Sequence, residues 1–154
     1  MVRIQVEAID YQALTEAVRN PQCGAVCLFL GTVREFTHGE QTKALTYEGH
    51  PTLAHQILSQ VEYETRGKWP VHEIMLVHRL GHLDLGDISV AVAVSSAHRE
   101  QALAACKYAI DRLKEIVPIW KQEHWADGRT EWVHPSQTPL SPPGRGAGGE
   151  GDSS

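Results

Sequence analysis

The sequence predicts one α+β or α/β layered domain with about three helices, and three observations carry that expectation. Short runs with two-residue alternation are interleaved with stretches whose apolar side chains recur at i, i+3, i+4 and i+7. Glycine, proline and asparagine punctuate the joins. The 154 residues, 42% of them hydrophobic, suffice for one real core and not comfortably for two.

Taken in order, Arg3 to Glu7 alternates as a first strand, and Asp10 caps a short helix through Val18, with Leu14, Ala17 and Val18 inward. Asn20, Pro21 and Gly24 break the chain. Ala25 to Val33, AVCLFLGTV, is a buried strand in which Gly31 lets another backbone or a ligand approach closely. Arg34 follows it directly, on the edge of the polar loop EFTHGEQT. Lys43 to Glu48 is the second strand, and Pro51 opens a helix to about Arg66 with Leu53, Ile57, Leu58 and Val61 inward. Lys68-Trp69-Pro70 closes that helix. Ile74 to Leu80 and Ile88 to Val94 are strands joined by GHLDLGD, and the valines at 90, 92 and 94 alternate with alanines as in a buried strand.

The next helix organises the chain. Ser95 and Ser96 stand where an N-cap belongs, and Leu103, Cys106, Ile110, Leu113 and Val117 form its apolar stripe beside Ala102, Ala109 and Ile116. Pro118 stops it. In the strand from Ile119 to His124, alternation puts Ile119, Lys121 and Glu123 on one face and Trp120, Gln122 and His124 on the other. A turn at Asp127-Gly128 leads to a short last strand near Glu131 to Val133. The domain is therefore expected over residues 1–134. The Pro/Gly/Ser-rich segment 135–154 cannot bury enough apolar surface to fold by itself and is expected to be a disordered tail.

A net charge of -5 and a pI near 6.0 argue against a general nucleic-acid or anionic-membrane surface. The N-terminus has no apolar signal region and no apolar run is long enough to span a bilayer, so a cytoplasmic protein is expected. Three cysteines, Cys23, Cys27 and Cys106, do not suggest a disulfide framework. Of the nine histidines, His50 with His55 or His78 with His82 lack third and fourth ligands at a closing spacing, and no metal is expected. No glycine-rich phosphate loop, serine elbow or Cys/His nucleophile pair stands out.

What remains is basic. His98 and Arg99 lie in the first turn of the long helix, where a cation is unfavourable unless an anion binds there; solvated surface cations are the ordinary alternative. Lys114 sits at the margin of the apolar stripe, and Lys121 follows in IWKQE. A helix-end lysine and a plain strand lysine are the ordinary readings of these two. Arg99 and Lys114 are fifteen residues apart, about 22 Å along a helix, so one helix cannot bring both ends to one small site. If they act on one ligand, one pair comes from a second subunit across a two-fold interface. Arg34, His98, Arg99, Lys114 and Lys121 thus form a candidate cationic constellation for an anionic substrate. Two lysines close together would lower one another's pKa.

At GAVCLFLGTVRE, LTYEGHP, VHRLGHLDLGD, SSAHRE and LKEIVPIWKQE the chain resembles the catalytic (large) subunit of molybdopterin synthase, the MoaE family, in order from Gly24 to Trp132. The combination of SSAHR with LK…P-x-WK is the specific part. The resemblance implies an α+β domain of the α/β hammerhead type, with a mixed, largely antiparallel sheet, that dimerises. It implies a cytoplasmic sulfurtransferase of molybdenum cofactor biosynthesis. Two small ubiquitin-like sulfur-carrier subunits would join the homodimer in a heterotetramer, each inserting a C-terminal Gly-Gly thiocarboxylate into the large subunit. Two sulfurs would pass in succession to cyclic pyranopterin monophosphate (precursor Z), creating the dithiolene of molybdopterin. No cofactor is implied, because the carrier supplies the sulfur.

By motif position Lys114 and Lys121 correspond to the family's active-site lysines, and Arg34, His98 and Arg99 to its substrate-anion contacts, with the His-Arg pair taken from the partner subunit. Lys121 is expected to transfer protons and Lys114 to polarise the thiocarboxylate. Phe29 and Glu123 match further positions near the pocket, Phe29 also as an ordinary core residue and Glu123 to orient Lys121. The loop after Arg34 departs from the pattern, reading EFTHG in place of an Asn-rich turn. The competing reading is a non-catalytic anion-binding or carrier-docking module whose lysines only contact acidic partners.

Overall fold

The computed structural model describes residues 1–133, so the expected domain end at 134 and the tail 135–154 lie outside the described residues. Nine strands and three helices follow one another as β1 (Val2–Gln5), α1 (Tyr11–Val18), β2 (Ala25–Thr32), β3 (Phe36–Thr37), β4 (Glu40–Gly49), α2 (Pro51–Lys68), β5 (Val71–Arg79), β6 (Gly81–Asp84), β7 (Ile88–Ser96), α3 (Arg99–Ile116), β8 (Ile119–Trp125) and β9 (Thr130–Val133).

The strands make two sheets. One has the order β1-β5-β7-β2, with β1 parallel to β5 and the other pairs antiparallel. The other runs β3-β4-β8-β9, with β6 also on β4, and is antiparallel throughout. This is the mixed, largely antiparallel α+β architecture with three helices that the sequence predicts.

Layering follows from alternation in β5 and β7. Ile74, Leu76, Val90, Val92 and Val94 face one way and pack with Leu58 and Val61 of α2 and Cys106, Ile110 and Leu113 of α3. Met75, Val77, Ala91 and Ala93 face the other way against Leu14 and Val18 of α1. The alanines on that second face make room for a single short helix, while the bulkier valines meet two long ones. Gly31 is closely approached, though by side chains and not by the backbone or ligand expected: a Cβ there would lie 2.7 Å from Val90 Cγ1 on the neighbouring strand.

Several local expectations need correction. Ser95 and Ser96 are not an N-cap but the end of β7, paired with β2 and β5, and their hydroxyls bond Glu73 N–H and the Pro70 carbonyl. The N-cap of α3 is His98, without a side-chain cap bond, so Arg99 is the first helical residue. Ladder pairing won over local capping. Leu103 is 58% exposed, because Ala102, Ala105, Cys106 and Ala109 turn the buried stripe one position away from it. Leu53 and Ala17 face solvent for the same reason, the inward positions being Ala54 and Leu58 on α2 and Leu14 and Val18 on α1.

β2 is half-buried rather than buried, since it forms the edge of its sheet. The loop after Arg34 closes as a hairpin on a two-residue turn, His38-Gly39, both at positive φ, as such turns demand. GHLDLGD contains β6, which pairs with β4.

A cationic cluster where the two sheets meet the last turn of α3

Two consecutive elements deliver the two lysines. Lys114 is the basic residue in the last turn of α3, and the helix ends when the Val117 N–H closes on the Leu113 carbonyl ahead of Pro118. β8 starts at once and lies antiparallel to β4, which sets Lys121 opposite Tyr47 and Glu123 opposite Leu45. Arg34 arrives from β2. The chain on either side of it is tied down by Val33 N–H to the Asp87 carbonyl at 3.0 Å and Thr42 N–H to the Glu35 carbonyl at 2.6 Å.

Electrostatics shows that these three cations share one neighbourhood. Burial pushes the pKa of Lys114 down, and the charges of Lys121 and Arg34 push it further in the same direction. The residue is nonetheless exposed overall, so the ammonium remains open to a ligand from solvent. Among the described residues no carboxylate lies within 4 Å of its ammonium. Lys121, by contrast, is one-fifth exposed and stands 3.6 Å from Oε2 of Glu123, a carboxylate that is itself 3% exposed. The Thr42 hydroxyl donates to the other carboxylate oxygen, Oε1, at 2.9 Å.

Beneath the lysines lies a polar layer that sequence reasoning missed. His78 on β5 is buried, and Nδ1 is 2.9 Å from the Arg79 carbonyl; a carbonyl only accepts, so Nδ1 carries the proton. Burial, aided by the Lys114 charge, pushes this imidazole down to about 4, which makes it neutral at ordinary pH. The Tyr47 ring meets it edge-on at 5.2 Å between centroids. Burial raises the Tyr47 pKa and Glu123 adds to the rise, while Ser89 beside its hydroxyl opposes it. Ser89 in turn donates to the Gly31 carbonyl at 3.2 Å. No local signal marks these residues: that Tyr47 faces a lysine follows only from the pairing of β4 with β8.

Phe29 is half-buried on β2 against the main core, its ring 3.6 Å from where a Gly31 Cβ would stand, and so close to the Ser89 end of that layer. His98 and Arg99 are not brought to the cluster within one chain. Both are exposed at the opposite end of α3, and the span from Arg99 to Lys114 is about 22 Å at ~1.5 Å per residue.

Other chemistries find less support. Cys27 and Cys106 are free, and burial together with Cys27 raises the Cys106 thiol well above its ordinary value, so it is a poor nucleophile. Among the described residues no group of three or more His, Cys, Asp or Glu side chains is placed to hold a metal ion. No described helix is long and apolar enough to cross a membrane. The cluster offers three neighbouring cations, one of them, Lys121, facing a fixed carboxylate, an arrangement suited to holding an anion and moving a proton beside it.

The family model described as MoaE protein matches residues 4–116. A molybdopterin synthase catalytic subunit of Halalkalibacterium halodurans is 44% identical over 130 residues, covering 84% of this chain and 83% of that protein. The crystal structure of molybdopterin synthase from Staphylococcus aureus superposes with a TM-score of 0.79 at 46% identity, covering 84% of this chain and 93% of that one. A complex of subunits 1 and 2 of molybdopterin-converting factor from Helicobacter pylori shares the fold, with a TM-score of 0.68 at 23% identity over 83% of this chain and 87% of that one.

Proposed function

The chain belongs to the MoaE protein family, and from that premise we propose how its cations are used. Its function is that of the catalytic subunit of molybdopterin synthase, a sulfurtransferase of molybdenum cofactor biosynthesis. Its partner is a small sulfur-carrier subunit that presents a C-terminal thiocarboxylate, and its substrate is cyclic pyranopterin monophosphate. A second copy of the chain completes each site, and the setting is cytoplasmic. The carrier supplies the sulfur, so the reaction requires no resident cofactor here.

When sulfur leaves a thiocarboxylate for a substrate carbon, oxygen from water must take its place on the acyl carbon. The step needs a group that moves protons beside a group that holds negative charge. Lys114 suits the first role, because burial and two neighbouring cations loosen its proton. Lys121 suits the second, because a fixed carboxylate holds it in place. This exchanges the division expected from the sequence. Arg34 binds the substrate's phosphate or the thiocarboxylate, and His98 and Arg99 of a second copy complete the anion site.

The convergence of Lys114, Lys121 and Arg34 carries the proposal. Purified protein mixed with thiocarboxylated carrier and cyclic pyranopterin monophosphate should form dithiolene product, and Lys114→Ala should abolish turnover while retaining carrier binding. A Lys114→Ala variant with wild-type turnover would overturn the assignment.

A further inference from the structure

We propose that Thr42 is a positioning residue for Lys121, acting through the Glu123 carboxylate; the inference rests on the sulfur-transfer reading above. A buried carboxylate is costly unless both oxygens are matched. At Glu123 the matching is divided, with Oε1 accepting from the Thr42 hydroxyl at 2.9 Å and Oε2 facing Lys121 Nζ at 3.6 Å. The hydroxyl therefore fixes the rotation of the carboxylate and with it the place of the charge that Lys121 answers to. At 3.6 Å the ammonium is paired in charge but too far for a hydrogen bond, which leaves its donors for a ligand.

The backbone shows how Thr42 comes to face Glu123. Leu45 pairs with Glu123 and Ala44 with His124, so an unbroken ladder would set Lys43 opposite Trp125, on the Glu123 face. The register instead shifts between Thr42 and Ala44, and Thr42 takes the position opposite Trp125. The bulge turns Lys43 outward and a buried hydroxyl inward; bulges re-aim side chains in this way beside active sites. Thr42 also donates its N–H to the Glu35 carbonyl at 2.6 Å, one residue past Arg34. One residue thus links the chain carrying Arg34 to the carboxylate facing Lys121.

Steady-state turnover of the protein with thiocarboxylated carrier and cyclic pyranopterin monophosphate tests this. Thr42→Val should lower kcat about ten- to a hundred-fold with KM changed by less than about threefold, since small misplacements at a reacting centre cost rates of that order. Thr42→Ser, which keeps the hydroxyl, should restore kcat to within about threefold of wild type. Thr42→Val added to Glu123→Gln should cost nothing beyond Glu123→Gln alone, because both act through one carboxylate. An unchanged kcat in Thr42→Val, no rescue by serine, or additive losses would overturn the proposal. Thr42→Ala removes the same hydroxyl and carries the same expectation should the valine variant be insoluble.

A readout free of turnover separates this proposal from the functional reading. Acylation of Lys121 by acetic anhydride, followed by mass spectrometry, should slow in Thr42→Val, where the carboxylate has lost its other donor and holds the ammonium proton more tightly, and return to the wild-type rate in Thr42→Ser. Unaltered acylation would remove the clamp even in an active enzyme, whereas an inactive wild type with altered acylation would remove only the sulfur-transfer reading.

Discussion

Because α3 holds Arg99 and Lys114 about 22 Å apart, a site that uses both must borrow one of them from a second copy. Coexpressing Lys114→Ala and Arg99→Ala chains makes the consequence countable. Each variant alone lacks one essential group at both sites and should be inactive. Random pairing gives about one quarter of each parental dimer and one half hybrids. In a hybrid, the site built on the Arg99→Ala chain has its own Lys114 and borrows an intact Arg99, while the other site is doubly defective. Half of the dimers with one working site of two should restore about a quarter of wild-type dithiolene formation, and about half when hybrids are isolated by two different affinity tags. The assay is product formation with thiocarboxylated carrier. No recovery in tag-purified hybrids, or full activity in a monomer, would refute the trans arrangement.

Two further outcomes follow from the electrostatics. Lys121→Gln removes a charge that lowers the Lys114 pKa, so the Lys114 proton should be held more tightly and its labelling by an amine reagent should require higher pH. Burial remains in the variant, so the labelling curve should stop short of an ordinary lysine's; an unmoved curve would show that the two ammonium groups do not interact. His78 titrates near 4 when folded and near 6.5 when unfolded, so the unfolded chain binds more protons between those values, and stability should be lost as pH falls through that window. The full loss is about 3 kcal/mol. Urea unfolding at pH 7 and pH 4.5 should show a smaller decline for His78→Gln than for wild type, and equal declines would place the acid sensitivity elsewhere.

The elements were legible where one physical signal dominated. Val90, Ala91, Val92 and Ala93 alternate so strictly that β7 could hardly be anything else, and Pro51 and Pro118 marked a helix start and stop that the structure keeps. Ser95 and Ser96 misled because a serine suits a cap and a strand end equally, and only the partners on β2 and β5 decide between them. Lys114, Lys121 and Arg34 could be picked out as unabsorbed cations. Thr42, Tyr47 and His78 could not, since each looks like an ordinary strand residue until the β4 bulge and the cross-strand pairing are known. Their importance lies in pairings about thirty to eighty residues apart, a distance that local pattern does not span.

β2 leaves eight largely apolar residues on the rim of its sheet, where, among the described residues, backbone donors and acceptors on one side have no ladder to join. Such a rim recruits any extended strand it meets, from a sister molecule or from a half-made chain. If the second copy proposed above covers this rim, a variant prevented from associating should lose catalysis and precipitate together.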